Sequence, residues 1–136
     1  MLRRRGRMSA VAKTLAVAWF PPGQLELALS LWPELGQGWE GDRSHAAYCR
    51  FVDRKLRAIP RDDGTRILIA SVDVKPYVKW CAREGLDPGA PATRERYAVQ
   101  VATRGRVREW PVAPNKPCWC GRGDRYDTCC GADLLN

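Results

Sequence analysis

Cys118-Trp119-Cys120-Gly121-Arg122-Gly123-Asp124-Arg125-Tyr126-Asp127-Thr128-Cys129-Cys130-Gly131 gathers four of the chain's six cysteines into thirteen residues. Such spacing reads as a metal loop. Zinc takes four thiolates in a tetrahedron at about 2.3 Å, and two cysteines one or two residues apart can supply adjacent corners. Cys118 and Cys120 make one such pair. Gly121 and Gly123 follow at once, and glycine takes the positive-φ conformations that let a backbone turn around an ion. The stretch 121–128 is long enough to turn back, so Cys129 and Cys130 complete the tetrahedron, and Gly131 closes the segment. The expected result is a structural Zn2+ site held by Cys118, Cys120, Cys129 and Cys130, with no open coordination position.

The competing reading is a set of disulfides or free thiols. Bridging Cys118 to Cys120, or Cys129 to Cys130, would close very small strained rings, and cross-bridges need an oxidising compartment. No secretory signal is visible to place the chain in one.

The stretch Asn115-Lys116-Pro117-Cys118-Trp119-Cys120-Gly121-Arg122-Gly123, continued through Tyr126 to Cys129-Cys130-Gly131, resembles the SEC-C motif. That motif is the zinc-binding tail of the bacterial preprotein translocase motor and also occurs on small bacterial proteins. Asn115, Pro117, Cys118, Cys120, Gly121, Gly123, Tyr126, Cys129, Cys130 and Gly131 fall on matching positions. Arg122 stands where serine is usual and Lys116 where aspartate is usual. Asp124, Asp127 and Thr128 occupy a region often rich in lysine. The resemblance implies zinc, and in the motor it implies contact with an export chaperone and the ribosome. That choice of partner does not follow for a loop with fewer lysines.

At 136 residues the chain suits one modest domain with the zinc tail appended. Its hydrophobic fraction of 45% is ordinary for a globular protein. The apolar stretch Leu15 to Phe20 is far too short to span a bilayer, so a cytoplasmic protein without membrane insertion is expected. The net charge of +8 is unevenly spread: Arg3, Arg4, Arg5, Arg7 and Lys13 supply five of those charges. Residues 1–12 read as a basic disordered arm, whose arginines could contact nucleic-acid phosphates, lie solvated, or reflect a start at Met8.

Residues 13–104 read as an α+β body of two strands and four helices. Lys13 to Phe20 reads as a buried strand ended by Pro21-Pro22, followed by a helix from Gly23 to Trp32. Pro33 to Arg43 is a connector. Ser44 is an N-cap for a helix through Ile59 with Ala47, Phe51, Val52, Leu56 and Ile59 on its apolar stripe. After the turn Arg61-Asp62-Asp63-Gly64, Thr65 to Val72 reads as the second strand. Asp73 caps a helix to about Gly85, and Thr93 caps one to about Thr103. Residues 105–114 read as an extended linker into the zinc knuckle at 115–132. The order strand, helix, helix occurs twice, with Trp32 and Trp80, and Tyr48 and Tyr97, at similar offsets, so a β-α-α duplication competes with simple alternation of elements.

Other chemistry is sparse. Cys49 and Cys81 sit among apolar residues and read as inert core thiols. His45, the single histidine, reads as solvated beside a polar connector. Asp53 and Asp62-Asp63 lack a second carboxylate or histidine to complete a metal or acid–base pair. No enzyme motif is present. Trp119, Arg122, Arg125 and Tyr126 alternate ring and guanidinium inside the loop, and such groups can contact a peptide or stack on RNA bases. Trp119 and Tyr126 can equally cover the thiolates and dock the loop on the body, docking being favoured for Trp119. The expected function is a non-enzymatic zinc-binding adaptor that presents a protein-binding surface. The alternative is a ribosome- or RNA-associated protein using the arm and knuckle.

Overall fold

The apolar run Ile67-Leu68-Ile69-Ala70 forms the middle strand of a three-stranded sheet and is buried along its whole length. A strand covered on both faces has no polar alternation, hence the continuous run. The structure is a computed structural model that describes residues 13–37, 39, 42–60 and 65–132. The arginine-rich arm within 1–12 and the Arg61-Asp62-Asp63-Gly64 turn lie outside the described residues.

In chain order the elements are β1 (Thr14–Trp19), α1 (Gln24–Leu31), a 3-10 turn (Pro33–Gly36), α2 (His45–Arg57), β2 (Arg66–Ser71), α3 (Val74–Glu84), α4 (Pro91–Thr103), β3 (Val107–Trp110) and a second 3-10 turn (Tyr126–Thr128). β1 and β2 pair in parallel, with Thr14 opposite Arg66 and Trp19 opposite Ser71. A parallel pair needs a long crossover, and α1 with α2 supplies it. α4 packs against β1 and β2, and α1 against α3.

The expected α+β class with four helices is present, but the sheet has three strands rather than two. The third lies in the segment expected to be a linker. Val107–Trp110 runs antiparallel to β2, with Ile67 opposite Trp110 and Ala70 opposite Val107. Only four residues long, with Arg108 and Glu109 both exposed, it is a short charged edge strand. It takes its shape from pairing with β2 rather than from a pattern of its own, and Glu109 forms an ion pair with Arg66 across the sheet.

Most helix boundaries follow their local signals. The Ser44 hydroxyl accepts a hydrogen bond from Ala47 N at 3.1 Å, capping α2. Gly85 ends α3 at φ +69°, a left-handed cap that glycine adopts freely. Asp73 stands at the N-cap of α3 as expected, though without a side-chain capping bond, and Thr93 is not the cap of α4. The Asp73 carboxylate stands 3.5 Å from Arg106, while Gln24 Oε1 accepts from Val74 N at 2.8 Å. Thr93 lies buried inside α4, whose first residue is Pro91, and proline at the first helical position is already set to the helical φ.

All six tryptophans are buried, and the cysteine loop shares their core. Cys118, Trp119, Cys120, Tyr126, Cys129 and Cys130 belong to the same hydrophobic cluster as Trp19, Cys49 and Leu56. The expected knuckle is therefore seated in the body. No helix of the described residues is long and apolar enough to cross a membrane.

Candidate metal centre

The loop closes on itself before it meets the body. Tyr126 N donates to Lys116 O at 2.9 Å, Cys118 N to Asp124 O at 2.8 Å, and Pro117 bridges Arg125. Gly121 and Gly123 make the reversal at φ +86° and +95°, where a side chain would strain the backbone. The 3-10 turn Tyr126–Thr128 then delivers Cys129 and Cys130.

These turns bring four sulfurs together. The Sγ atoms of Cys118, Cys120, Cys129 and Cys130 all lie within 4.8 Å of one another, and all four residues are buried. Cys120 and Cys129 are 3.5 Å apart. Four ligands at about 2.3 Å from one ion would sit about 3.8 Å apart, so the cluster fits a tetrahedral metal with little adjustment. The four expected ligands are thus one group that can hold a metal ion.

The thiols share protons unequally. Hydrogen bonds from Cys118, Cys130 and Cys49 drive Cys120 far below the ordinary thiol range. The negative Cys120 in turn pushes Cys118 up to about 11, and Cys130 is raised by Cys118, Cys120 and Cys49. The Cys120 thiolate is thus held by hydrogen bonds from thiols that keep their protons, Cys118 and Cys130. Four thiolates around a divalent ion carry a net charge of about −2, and Arg122 Nη2, 2.8 Å from Cys129 Sγ, is placed to offset part of it.

Two groups that sequence patterning left without a role lie against this centre. Cys49, on α2 and fully buried, interacts with Cys120 and Cys130, making a fifth thiol at the edge of the cluster. His45, one turn earlier, is half-buried rather than solvated. Its Nε2 lies 2.9 Å from Phe20 O and its Nδ1 3.5 Å from Cys49 Sγ.

Sequence patterning also passes over Asp53, the more consequential residue. Its carboxylate is fully buried and receives Trp110 Nε1–H at 2.8 Å, Trp119 Nε1–H at 3.0 Å and the Tyr126 hydroxyl at 2.8 Å, with Arg57 Nε at 3.0 Å. Hydrogen bonds to an ionised acceptor are about twice as strong as neutral ones. One side chain of α2 therefore holds β3 and both aromatics of the loop. Burial, then the Asp53 charge, raises the Tyr126 hydroxyl, which stays a donor across the neutral range. Trp119 also packs edge-on against Trp19, with ring centroids 5.6 Å apart.

Of the four loop residues considered for partner contact, Trp119 and Tyr126 therefore point inward. Arg122 and Arg125 are exposed, and Arg125 pairs with Asp127. A signal for the docking was present in the sequence: His45, Cys49, Asp53 and Arg57 recur every four residues and share one face of α2.

A family model described as Domain of unknown function (DUF8829) matches residues 40–111, just over half of the chain. A second, the SEC-C motif, matches residues 115–132. No curated protein and no solved structure matches the chain. Asp53 lies in the first matched region, while Trp119 and Tyr126 lie in the second, so the carboxylate ties the two together.

Proposed function

We propose, for a chain that belongs to the family described as Domain of unknown function (DUF8829) and carries a SEC-C motif after it, a role as a non-enzymatic zinc-binding adaptor. Zn2+ suits four buried thiolates in a closed tetrahedral set, a donor arrangement that holds structure rather than activating water. Among the described residues Asp53 is the one buried carboxylate, and its oxygens are already filled by donors. Both His45 ring nitrogens face partners. The Asp53 carboxylate is thus committed to its donors, and the Cys49 thiol that faces His45 is fully buried, so the pair offers no accessible nucleophile.

The adaptor reading rests on one observation. A shallow cleft of about 540 Å³ runs along the seam between β3 and the zinc loop, with Val112, Ala113 and Pro117 as apolar wall, Arg108 and Lys116 as cations, and Glu109, its carboxylate paired with Arg66, at the rim. One wall comes from the body and the other from the loop, so the cleft exists only when the loop is docked. Metal binding thereby becomes a condition for the surface. Its chemistry suits an extended segment of a partner protein carrying apolar and acidic side chains.

The test is affinity capture by the zinc-loaded full chain from a nuclease-treated lysate of cells that naturally make it, beside the A113D/K116E variant, whose altered side chains are exposed. A polypeptide held by the wild type and lost from the variant, with zinc content and melting temperature unchanged, supports the adaptor. Equal capture by both, or capture abolished by nuclease, overturns it.

A further inference from the structure

Away from the metal centre, Lys75, Lys79 and Arg83 recur every four residues along α3 and so stack on one helix face. Like charges at that spacing repel by about 0.2–0.5 kcal/mol per pair, which leaves the row without a structural purpose. None of the three, nor Arg104 at the end of α4, forms an ion pair among the described residues. Together they surround a cavity of about 290 Å³ between α3 and α4.

Trp80 and Tyr97 line that cavity, with ring centroids 5.1 Å apart. Neither the Trp80 indole N–H nor the Tyr97 hydroxyl has a hydrogen-bond partner among the described residues, and neither is sealed from solvent. The pocket thus combines four free cations, two free hydrogen-bonding groups and an aromatic lining. A row of three cations about 12 Å long is an extended feature, better matched to a chain of phosphates than to a single anion.

We infer that the α3–α4 pocket is a binding site for single-stranded nucleic acid. The phosphate backbone runs along Lys75, Lys79 and Arg83, Arg104 closes on it from α4, and one nucleoside enters the cavity against Trp80 and Tyr97. A basic groove with aromatic lining is the general means by which proteins hold a strand without reading its sequence. The site is separate from the β3–loop cleft and does not depend on the adaptor reading.

The experiment is isothermal titration of the zinc-loaded full chain with an octamer of single-stranded RNA, the DNA octamer of the same sequence, AMP and poly-glutamate. Each is run with the wild type and with K79E/R83E, whose altered side chains are exposed and outside the core. The octamers are expected to bind the wild type with a log–log salt slope of about −2 to −3. K79E/R83E should weaken them about tenfold or more and reduce the slope by about 1.4, two contacts' worth on a single strand. Zinc content and melting temperature should not change. Deleting residues 1–7 in both proteins should leave the tenfold difference in place, since the contacts are assigned to α3. The inference is overturned if neither octamer binds, if K79E/R83E binds as well as the wild type, or if the difference vanishes without residues 1–7. AMP binding as tightly as the octamers would show a nucleotide pocket instead of a strand site. Equal binding of poly-glutamate would reduce the row to a general anion patch.

Discussion

Replacing Asp53 by alanine should be among the most damaging single changes available. It strands three neutral donors, Trp110 Nε1–H, Trp119 Nε1–H and the Tyr126 hydroxyl, in a site where Asp53 itself is fully buried. Each buried donor left without an acceptor costs about 1–3 kcal/mol. Arg57 loses its ion pair with Asp53 as well, at a side chain that is 23% exposed. These losses share one carboxylate and do not add in full, so about 4–5 kcal/mol is expected, in line with a broken buried ion pair. Domains of this kind are stable by about 5–15 kcal/mol, so the variant should sit near the edge of folding. Urea unfolding of the zinc-loaded protein, followed by far-ultraviolet circular dichroism, reads this directly. With a slope of about 2 kcal/mol per molar the midpoint falls by about 2 M. Asn at the same place keeps one acceptor and should lose about half as much. Zinc retention against a competing chelator should also weaken, because Trp119 and Tyr126 flank the ligands. A loss below about 1 kcal/mol for Asp53→Ala would refute the claim that this carboxylate anchors the loop.

Cys129→Ser should abolish stoichiometric metal, measured by elemental analysis of the purified protein, because a serine hydroxyl does not ionise to replace a thiolate. Zinc uptake should release protons: Cys118, pushed up to about 11, and Cys130, also raised, hold theirs at neutral pH in the metal-free fold, and the metal needs both as thiolates. The sign is that acid favours the metal-free state, so these two protons alone should lower affinity about a hundredfold per pH unit toward acid, as competition titrations at several pH values would show. Gly131→Ala should cost about 1–3 kcal/mol in the same urea assay, since its Cβ would lie 2.7 Å from Tyr126 Cζ, in a ring fixed by Asp53.

Elements backed by strong local signals are legible in the amino-acid order alone. Ser44 and Gly85 mark helix ends, the Ile67–Ala70 run marks the central strand, and the four loop cysteines with their glycine turns mark the group that can hold a metal ion. What stays concealed depends on tertiary contact. β3 has four residues and two charges, too few for a period, and becomes a strand because β2 offers it an edge. Asp53 looks like a surface member of an Arg57 pair because its three aromatic donors are 57, 66 and 73 residues away. A nearby carboxylate or histidine would have marked it as part of a site, whereas indole and phenol groups satisfy its buried charge here. His45 reads as solvated and Cys49 as core, and their place beside the cysteine loop emerges only when that loop covers the four-residue stripe of α2.

The separation between Asp53 and Tyr126 also bears on the order of events in time. All four ligands lie within thirteen residues, so a nascent or denatured loop can capture its ion by closing a short ring, a fast step with a small entropy cost. Seating that ring on α2 must wait until α2 has formed and β3 has found β2, contacts of much longer range. Folding from denaturant with zinc present should therefore show metal capture first and burial of Trp119 afterwards, so that the ion is already in place when the aromatic face closes over it.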